Sequence, residues 1–242
     1  MSTEASVTLV IPVFNEGDNI LPVLSAIYRI VRSPFTILIV YDFEEDSTLA
    51  ALKQLPAELA LKVRPVRNAY GRGVLNAIKT GLETADTELV IVTMADLSDP
   101  PEVMNEMVRV AHETGAAIVC ASRYMRGGRQ IGGPKVKGFL SRTAGMILYW
   151  IARLPTRDPT NSFKLYRKSF LSTATIESSG GFELGIELVV KAWKSGHRIA
   201  EVPTTWRDRV AGKSNFKLWK WLPHYLRWFF YAFRRNEKHP PC

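Results

Sequence analysis

Short apolar runs recur along this chain, separated by amphipathic segments, and that alternation admits few folds. Residues 7–11 (Val-Thr-Leu-Val-Ile), 37–40 (Ile-Leu-Ile-Val), 61–66, 89–93 (Leu-Val-Ile-Val-Thr) and 116–121 have the length of buried strands and lack the polar alternation of a half-exposed sheet. Between the first two runs, Ile20, Leu21, Leu24, Ile27, Tyr28 and Val31 recur at helical spacing over residues 19–31. Further helices are predicted from about Ser47, with Asp46 as its N-terminal cap, over residues 73–84, and after Pro100-Pro101-Glu102. Buried strands joined by crossover helices form a mainly parallel sheet, so the chain opens with a Rossmann-like α/β half that runs to about residue 122.

The second half is less regular. A glycine-rich basic loop (126–138) leads to an apolar helix over 139–154, too short to span a bilayer and expected to pack on the sheet. A strand at 163–166, a helix at 184–193 and an edge strand at 199–203 follow. With 242 residues, 46% of them hydrophobic and 23% charged, the chain has material for one large α/β domain and is unlike a disordered one. Residues before Val7 lack the basic and apolar parts of a signal peptide, and no window holds 18 consecutive apolar residues. Cys120 and Cys242 read as reduced cytosolic thiols rather than a disulfide. The net charge of +9 is uneven: from Arg198 onward ten Lys/Arg face three Asp/Glu, against twenty-two and twenty over the preceding 197 residues. An anionic partner is therefore expected at the C-terminal fifth.

Ligands of a doubly wound sheet sit beyond the carboxyl ends of its strands, and here those ends are acidic. Strand one ends in Pro12-Val13-Phe14-Asn15-Glu16, strand two in Val40-Tyr41-Asp42, and strand four in Met94-Ala95-Asp96-Leu97-Ser98-Asp99. Carboxylates gathered at one edge repel one another unless a cation or ligand donors compensate. Asp46 and Asp99 are read as helix caps, whereas Asp42 and Asp96, on adjacent strand ends, point to a site.

The order of these motifs carries a resemblance. Ile11-Pro12-Val13-Phe14-Asn15-Glu16, the 42–48 stretch, Gly71-Arg72-Gly73 before a helix, and Ala95-Asp96 followed by Pro-Pro-Glu are matched downstream by Ser122-Arg123-Tyr124, Gly127-Gly128, Arg157-Asp158-Pro159-Thr160, Gly181-Phe182-Glu183, Glu201-Val202-Pro203 and Arg209 to Ser214. Over residues 7 to 218 the chain resembles the GT-A fold of family 2 glycosyltransferases, in particular the polyprenyl-phosphate (dolichyl-phosphate mannose synthase-like) branch. The resemblance implies a GT-A domain over 1–214, its nucleotide-binding half at about 7–122 and its acceptor half at 123–214, and an inverting transfer of sugar from a nucleotide-diphosphate donor to a polyprenyl phosphate.

By the same resemblance, Pro12, Phe14, Glu16, Val40 and Asp42 hold base and ribose, and Ala95 belongs with Asp96 to the nucleotide-binding residues. Asp96 binds the diphosphate through Mg²⁺ or Mn²⁺, with Ser98 at the position often filled by a Gln ligand, and Arg123 and Arg209 meet phosphate. A departing diphosphate needs a hard cation or guanidinium groups aimed at it, which these residue types supply. The family's first metal carboxylate is replaced by Met94, leaving Asp96. An ionised lipid phosphate is already a nucleophile and needs no general base; a saccharide hydroxyl acceptor needs one, with Asp99 or Glu183 as candidates. A domain with weakened catalysis is the third possibility. Lys137, beside Lys135 and Arg142 around the glycine-rich loop, is a candidate for the acceptor phosphate, with Ser214 also on the acceptor side. Glu183 and Glu187 share a helix face, one as a sugar contact and the other as a structural acceptor.

Residues 215–235, expected to form a C-terminal amphipathic helical segment, interleave Trp, Tyr and Phe with Lys and Arg and are interrupted by Pro223. Such a segment suits the headgroup layer of an anionic leaflet, though a packed core helix and an oligomer interface have similar composition. Residues 215–242 are therefore read as a membrane-associating tail on a cytoplasmic protein, peripheral on the inner face of the membrane. No nucleic-acid-binding module is expected.

Overall fold

The computed structural model describes residues 7–208 and 218–234. In chain order its elements are β1 (Val7–Pro12), α1 (Gly17–Ile30), β2 (Phe35–Tyr41), α2 (Ser47–Leu52), α3 (Ala57–Ala60), β3 (Val63–Arg67), α4 (Val74–Thr84), β4 (Leu89–Val92), α5 (Glu102–Thr114) and β5 (Ile118–Ser122). There follow β6 (Arg129–Ile131), α6 (Lys135–Trp150), β7 (Lys164–Arg167), α7 (Lys168–Leu171), α8 (Leu184–Lys194), β8 (Ile199–Pro203), β9 (Thr205–Arg207) and α9 (Leu218–Phe233).

Seven strands form one sheet in the order β3-β2-β1-β4-β7-β5-β8. All pairings are parallel except those of β7, which runs antiparallel between β4 and β5. Every side chain of β1, β4 and β5 is buried, the expected result for central strands covered on both faces. One core layer packs Ile20, Leu24 and Ile27 of α1 with Met104 and Met107 of α5; the other packs α4, α8 and two residues of α9, Trp228 and Ala232. Gly81 lets α4 approach β1 closely: a Cβ there would lie 2.2 Å from Val10 Cγ1.

The central expectation holds: an α/β fold with a mainly parallel sheet flanked by helices. The antiparallel β7, read correctly as a strand, gained its place from tertiary pairing, which four residues cannot announce. The 126–138 loop is not wholly irregular. Its residues Arg129–Ile131 pair in parallel with β9 to make a two-stranded sheet, too short for any period to register.

Three further expectations are corrected. The predicted 139–154 helix begins four residues earlier, and as α6 it does not pack fully on the sheet: only Gly145 and Leu148 are buried. Val136, Phe139, Trp150 and Ile151 are 60–69% exposed. Pro223 does not interrupt the terminal segment, because α9 runs through it from Leu218 to Phe233. Helix α9 also has two apolar faces. Tyr225, Trp228 and Ala232 pack inward, and Trp228 Nε1 donates to Ser178 Oγ at 3.1 Å. Leu226, Phe230 and Phe233 face outward at the i, i+4, i+7 spacing of a stripe. Of the two cysteines, Cys120 is free and buried, and Cys242 lies outside the described residues.

Candidate active site

Parallel β1, β2, β3 and β4 bring their carboxyl ends to one edge of the sheet, and the loops leaving them are tied together by side chains. After β1, Asn15 adopts the left-handed region (φ 54°), which Asn tolerates better than most residues. Its N–H donates to Asp46 Oδ2 at 3.0 Å, the Ser47 N–H donates back to Asn15 Oδ1, and the Glu16 N–H donates to Thr48 Oγ1 at 3.0 Å. Asp46 also caps α2 by accepting from the Thr48 N–H at 2.9 Å, as its position predicts. After β2, Asp42 Oδ1 accepts from Asn68 Nδ2 at 2.7 Å and Oδ2 from the Gly73 N–H at 3.0 Å, so Asp42 anchors the Gly71-Arg72-Gly73 turn.

Of the residues assigned to nucleotide binding, Phe14 is exposed and Glu16 and Asp42 are half-buried on this edge. Pro12, Val40 and Ala95 are buried, so they offer backbone rather than side chains; the Val40 carbonyl already accepts from the Val13 N–H.

Asp96 is half-buried at the end of β4, with the Ser98 N–H donating to its Oδ1 at 3.1 Å. Leu97 between them holds φ 54°, a conformation strained for a leucine and the kind of outlier that clusters at ligand sites. Ser98 itself is 4% exposed, and its carbonyl accepts from the Arg207 N–H, tying the loop to β9. Asp99 is not a cap. Helix α5 has Pro101 at its N-cap with no side-chain cap, and Asp99 is buried with Oδ1 lacking any hydrogen-bond partner. Burial, and after it the neighbouring Asp96 charge, pushes its carboxyl up to about 7. The oxygen-only donors of this loop suit a hard divalent cation, and the orphaned Asp99 oxygen leaves acceptor capacity that the chain itself does not fill. Among the described residues no group of three His, Cys, Asp or Glu side chains converges, so such an ion would be held by Asp96 and take its other ligands from diphosphate oxygens.

Arg123 is placed otherwise than expected. Its Nε and Nη2 fork onto Asp158 Oδ2 and Oδ1 at 2.7 and 2.9 Å, and Nη2 also reaches Ser141 and Thr160 hydroxyls. Burial alone would raise the Asp158 carboxyl, but the Arg123 guanidinium outweighs it and holds the group below the usual carboxylate range. The fork is thus committed to a buried carboxylate, not presented to a phosphate. Glu183 is likewise committed. It is fully buried, and its two oxygens accept from the Gly180 and Gly181 N–H groups at 2.6 Å each, with the Trp221 ring lying against Gly181. It orders a loop rather than facing a sugar. Glu187 does the same for Glu177 and Ser178, as the structural alternative had it. Lys137 stands in the first turn of α6, and Arg142 lines an open apolar groove with Phe139, Met146, Ile147, Trp150 and Ile151. Arg209 and Ser214 lie outside the described residues.

The sequence profile of Glycosyl transferase family 2 matches residues 8–174. The chain belongs to this family. Among curated relatives, it is 28% identical over 229 residues to the dolichol-phosphate mannosyltransferase of Pyrococcus furiosus, covering 91% of the chain and 63% of that protein. It is also 28% identical over 212 residues to the polyprenol monophosphomannose synthase of Mycolicibacterium smegmatis, covering 85% and 79%. The chain therefore spans less than two thirds of the length of the first of these. In fold, the chain is similar to the glucosyl-3-phosphoglycerate synthase of Mycobacterium tuberculosis, solved with Mn²⁺ and UDP (TM-score 0.69, 15% identity, 94% of this chain and 80% of that one). The mannosyl-3-phosphoglycerate synthase of Rubrobacter xylanophilus is similar to the same degree (TM-score 0.68, 16% identity, 98% and 78%). The architecture is the GT-A fold.

The sequence did not single out Lys164 or Asp158 as partners of this family 2 site. Lys164 is fully buried, its Nζ donates to the Asn161 carbonyl, and burial depresses its pKa. It lies with Asp158, Arg123 and Asp99 beneath the strand ends. The Arg157-Asp158-Pro159-Thr160 motif carried the resemblance without revealing its partner. A lysine inside an apolar strand was the signal that could have found this cluster, since buried cations are retained only where paired.

Proposed function

We propose that this chain is an inverting glycosyltransferase that moves a sugar from a nucleotide-diphosphate donor to a polyprenyl phosphate at an anionic membrane surface. The donor lies along the carboxyl edge of β2, β1 and β4, with base and ribose at Phe14, Glu16 and Asp42 and the diphosphate at Asp96. Asp96 would hold Mg²⁺ or Mn²⁺, and a bound ion would supply positive charge against the negative charge developing on the departing diphosphate. The similarity to polyprenol-phosphate mannose synthases supports the acceptor class.

The observation that carries the acceptor assignment is the exposed apolar face of α6. It begins beside Lys137, presents Phe139, Trp150 and Ile151 outward, and carries Arg142 and the half-buried Met146 within the same groove. An apolar face with a guanidinium set in it suits an isoprenoid chain with a phosphate head, and the outward stripe of α9 extends the apolar surface available to a leaflet. Among the described residues no helix is long and apolar enough to cross a membrane, so contact with the bilayer would be along its surface. The two carboxylates considered as bases for a hydroxyl acceptor are both withdrawn, Asp99 by burial and Glu183 by its backbone bonds. A phosphate oxygen needs neither. Chemistry is then positioning plus stabilisation of the leaving group.

The test is incubation with GDP-mannose, UDP-glucose and UDP-GlcNAc, each with undecaprenyl phosphate and Mn²⁺. One donor is expected to yield an organic-extractable glycosyl phospholipid whose anomeric proton shows inversion. Donor hydrolysis alone, or a retained anomer, contradicts the proposal.

A further inference from the structure

The carboxylates of this chain leave one long gap. Between Glu113 and Asp158 the sequence holds eight Lys or Arg and no Asp or Glu. The gap covers β5, β6 and the whole of α6. Carboxylates reach it from outside at Arg123 (Asp158), at Arg157 (Glu201) and beside Gly132 (Asp208). Arg126, Arg129, Lys135, Arg142 and Arg153 stay exposed, and so do Phe139, Trp150 and Ile151 on α6 or at its end. Exposed cations set among exposed apolar side chains complement a surface that is anionic outside and apolar beneath, the profile of an anionic leaflet.

One end of this face is built as a groove. At the carboxyl end of α6, Trp150, Arg153 and Pro155 line a space of about 590 Å³, with the Arg157–Glu201 pair on its wall. It adjoins the groove that holds Arg142, and Trp150 lines both. Arg157 is committed, since it pairs with Glu201 and stands over the Tyr149 ring, 4.0 Å from the centroid. Arg153 is exposed and has no carboxylate partner among the described residues. Its backbone holds φ 60°, the left-handed conformation that glycine usually supplies after a helix. Glycine or asparagine would make this turn with less strain, so an arginine there marks a use for the side chain. A cation after a helix also answers the helix dipole, a role in stability alone. Arg142 stands eight residues before Trp150, the last of α6, about 12 Å along the axis. The two guanidinium groups thus mark opposite ends of the apolar face.

We propose that this groove takes the headgroup of an anionic phospholipid of the leaflet, with the phosphodiester on the Arg153 fork and the chains leaving over Trp150 and Ile151. Arginine suits a phosphodiester because its planar donors pair with two oxygens at once, and an indole suits the headgroup boundary. The ligand is neither donor nor acceptor. It is a lipid of the bilayer itself, seating the far end of α6 while the acceptor phosphate meets the near end. The assignment rests on α6 as the membrane-facing helix and not on the transfer chemistry.

The experiment is flotation of the full chain with vesicles of phosphatidylcholine alone and of phosphatidylcholine with phosphatidylglycerol, neither containing donor or acceptor. The variants are Arg153→Asn and Arg153→Gly, both of which accept φ 60°, with Arg64→Gln, at an exposed position of β3, as control. Both Arg153 variants are expected to partition onto the phosphatidylglycerol vesicles about fivefold more weakly than wild type, the effect of one interfacial cation. Arg64→Gln should partition as wild type. In a calorimetric titration, soluble dihexanoyl phosphatidylglycerol should bind wild type and inorganic phosphate should not. Wild-type partition by both Arg153 variants overturns the site, and a lowered melting temperature beside it would assign Arg153 to the helix dipole. An equal loss in Arg64→Gln also overturns it, because net charge alone would then be at work. So does inorganic phosphate binding as tightly as the short-chain lipid. A wild-type chain that floats with neither vesicle overturns the site together with the membrane placement of α6, whereas sugar transfer has no part in the readout.

Discussion

Asp96 and Asp99 stand three residues apart and differ in almost everything that decides what a carboxylate does. Asp96 is half-buried at the strand end, whereas Asp99 is buried with one oxygen unpartnered. Asp96→Ala is expected to lower kcat for transfer by about 10²–10³-fold, the usual cost of losing one preorganised group on the leaving charge. Chelation with EDTA should abolish wild-type turnover and Mn²⁺ restore it; full activity in excess EDTA contradicts the metal assignment. Asp99, pushed up to about 7, stays protonated in the folded chain over a range where the unfolded chain has already released its proton. Between about pH 4 and 7 the native state thus binds more protons than the unfolded one, and stability falls as pH rises. Thermal melts in chelator-containing buffer should show a steeper fall from pH 5 to pH 8 for wild type than for Asp99→Asn, and a higher melting temperature for Asp99→Asn at pH 8. Equal slopes would contradict a raised native pKa. A residue name at a strand end tells of carboxylate chemistry but not of its environment, and that is why Asp46 was legible as a cap while Asp99 was not. The fork of Arg123 onto Asp158 closes over thirty-five residues of sequence separation, a distance at which no local pattern speaks.

Among the elements, the central strands and the helices α1, α4, α5 and α8 could be read from periodicity, because burial on two faces or on one stripe writes itself into apolar spacing. Elements β6 and β9 could not, since three residues hold no period. Helices α6 and α9 were legible as helices but not in what their apolar faces touch, because core packing and a lipid-facing surface select the same residues. Phe139→Glu with Trp150→Glu should leave stability within about 0.5 kcal/mol, as for other exposed positions. The same double variant should weaken flotation with phosphatidylglycerol vesicles at least tenfold. Unchanged flotation would remove α6 from the membrane surface. Trp228→Ala on the inward face of α9 should behave oppositely. It empties a buried indole site at a cost of about 3–5 kcal/mol, measurable by urea unfolding, and a neutral result would mean that α9 does not dock on α8 as described.

At the scale of the whole molecule, one sheet edge gathers the loops proposed to bind the donor, and the small β6–β9 sheet ties the Asp96 loop to the chain segment entering α6. The Arg207 N–H on the Ser98 carbonyl, the Arg129 N–H on the Thr204 carbonyl and the Asp208 N–H on the Ile131 carbonyl are among the stitches. The edge proposed for the donor and the apolar helix proposed for the acceptor are thereby joined through a short connection. The central claim is that the phosphate of that acceptor is itself the nucleophile. It is tested most directly by offering undecaprenyl phosphate and undecaprenol, in the same vesicles and with the same donor, at pH 7. Sugar should transfer to the phosphate alone; comparable transfer to the free alcohol would show that a general base operates and that the account of the chemistry is wrong.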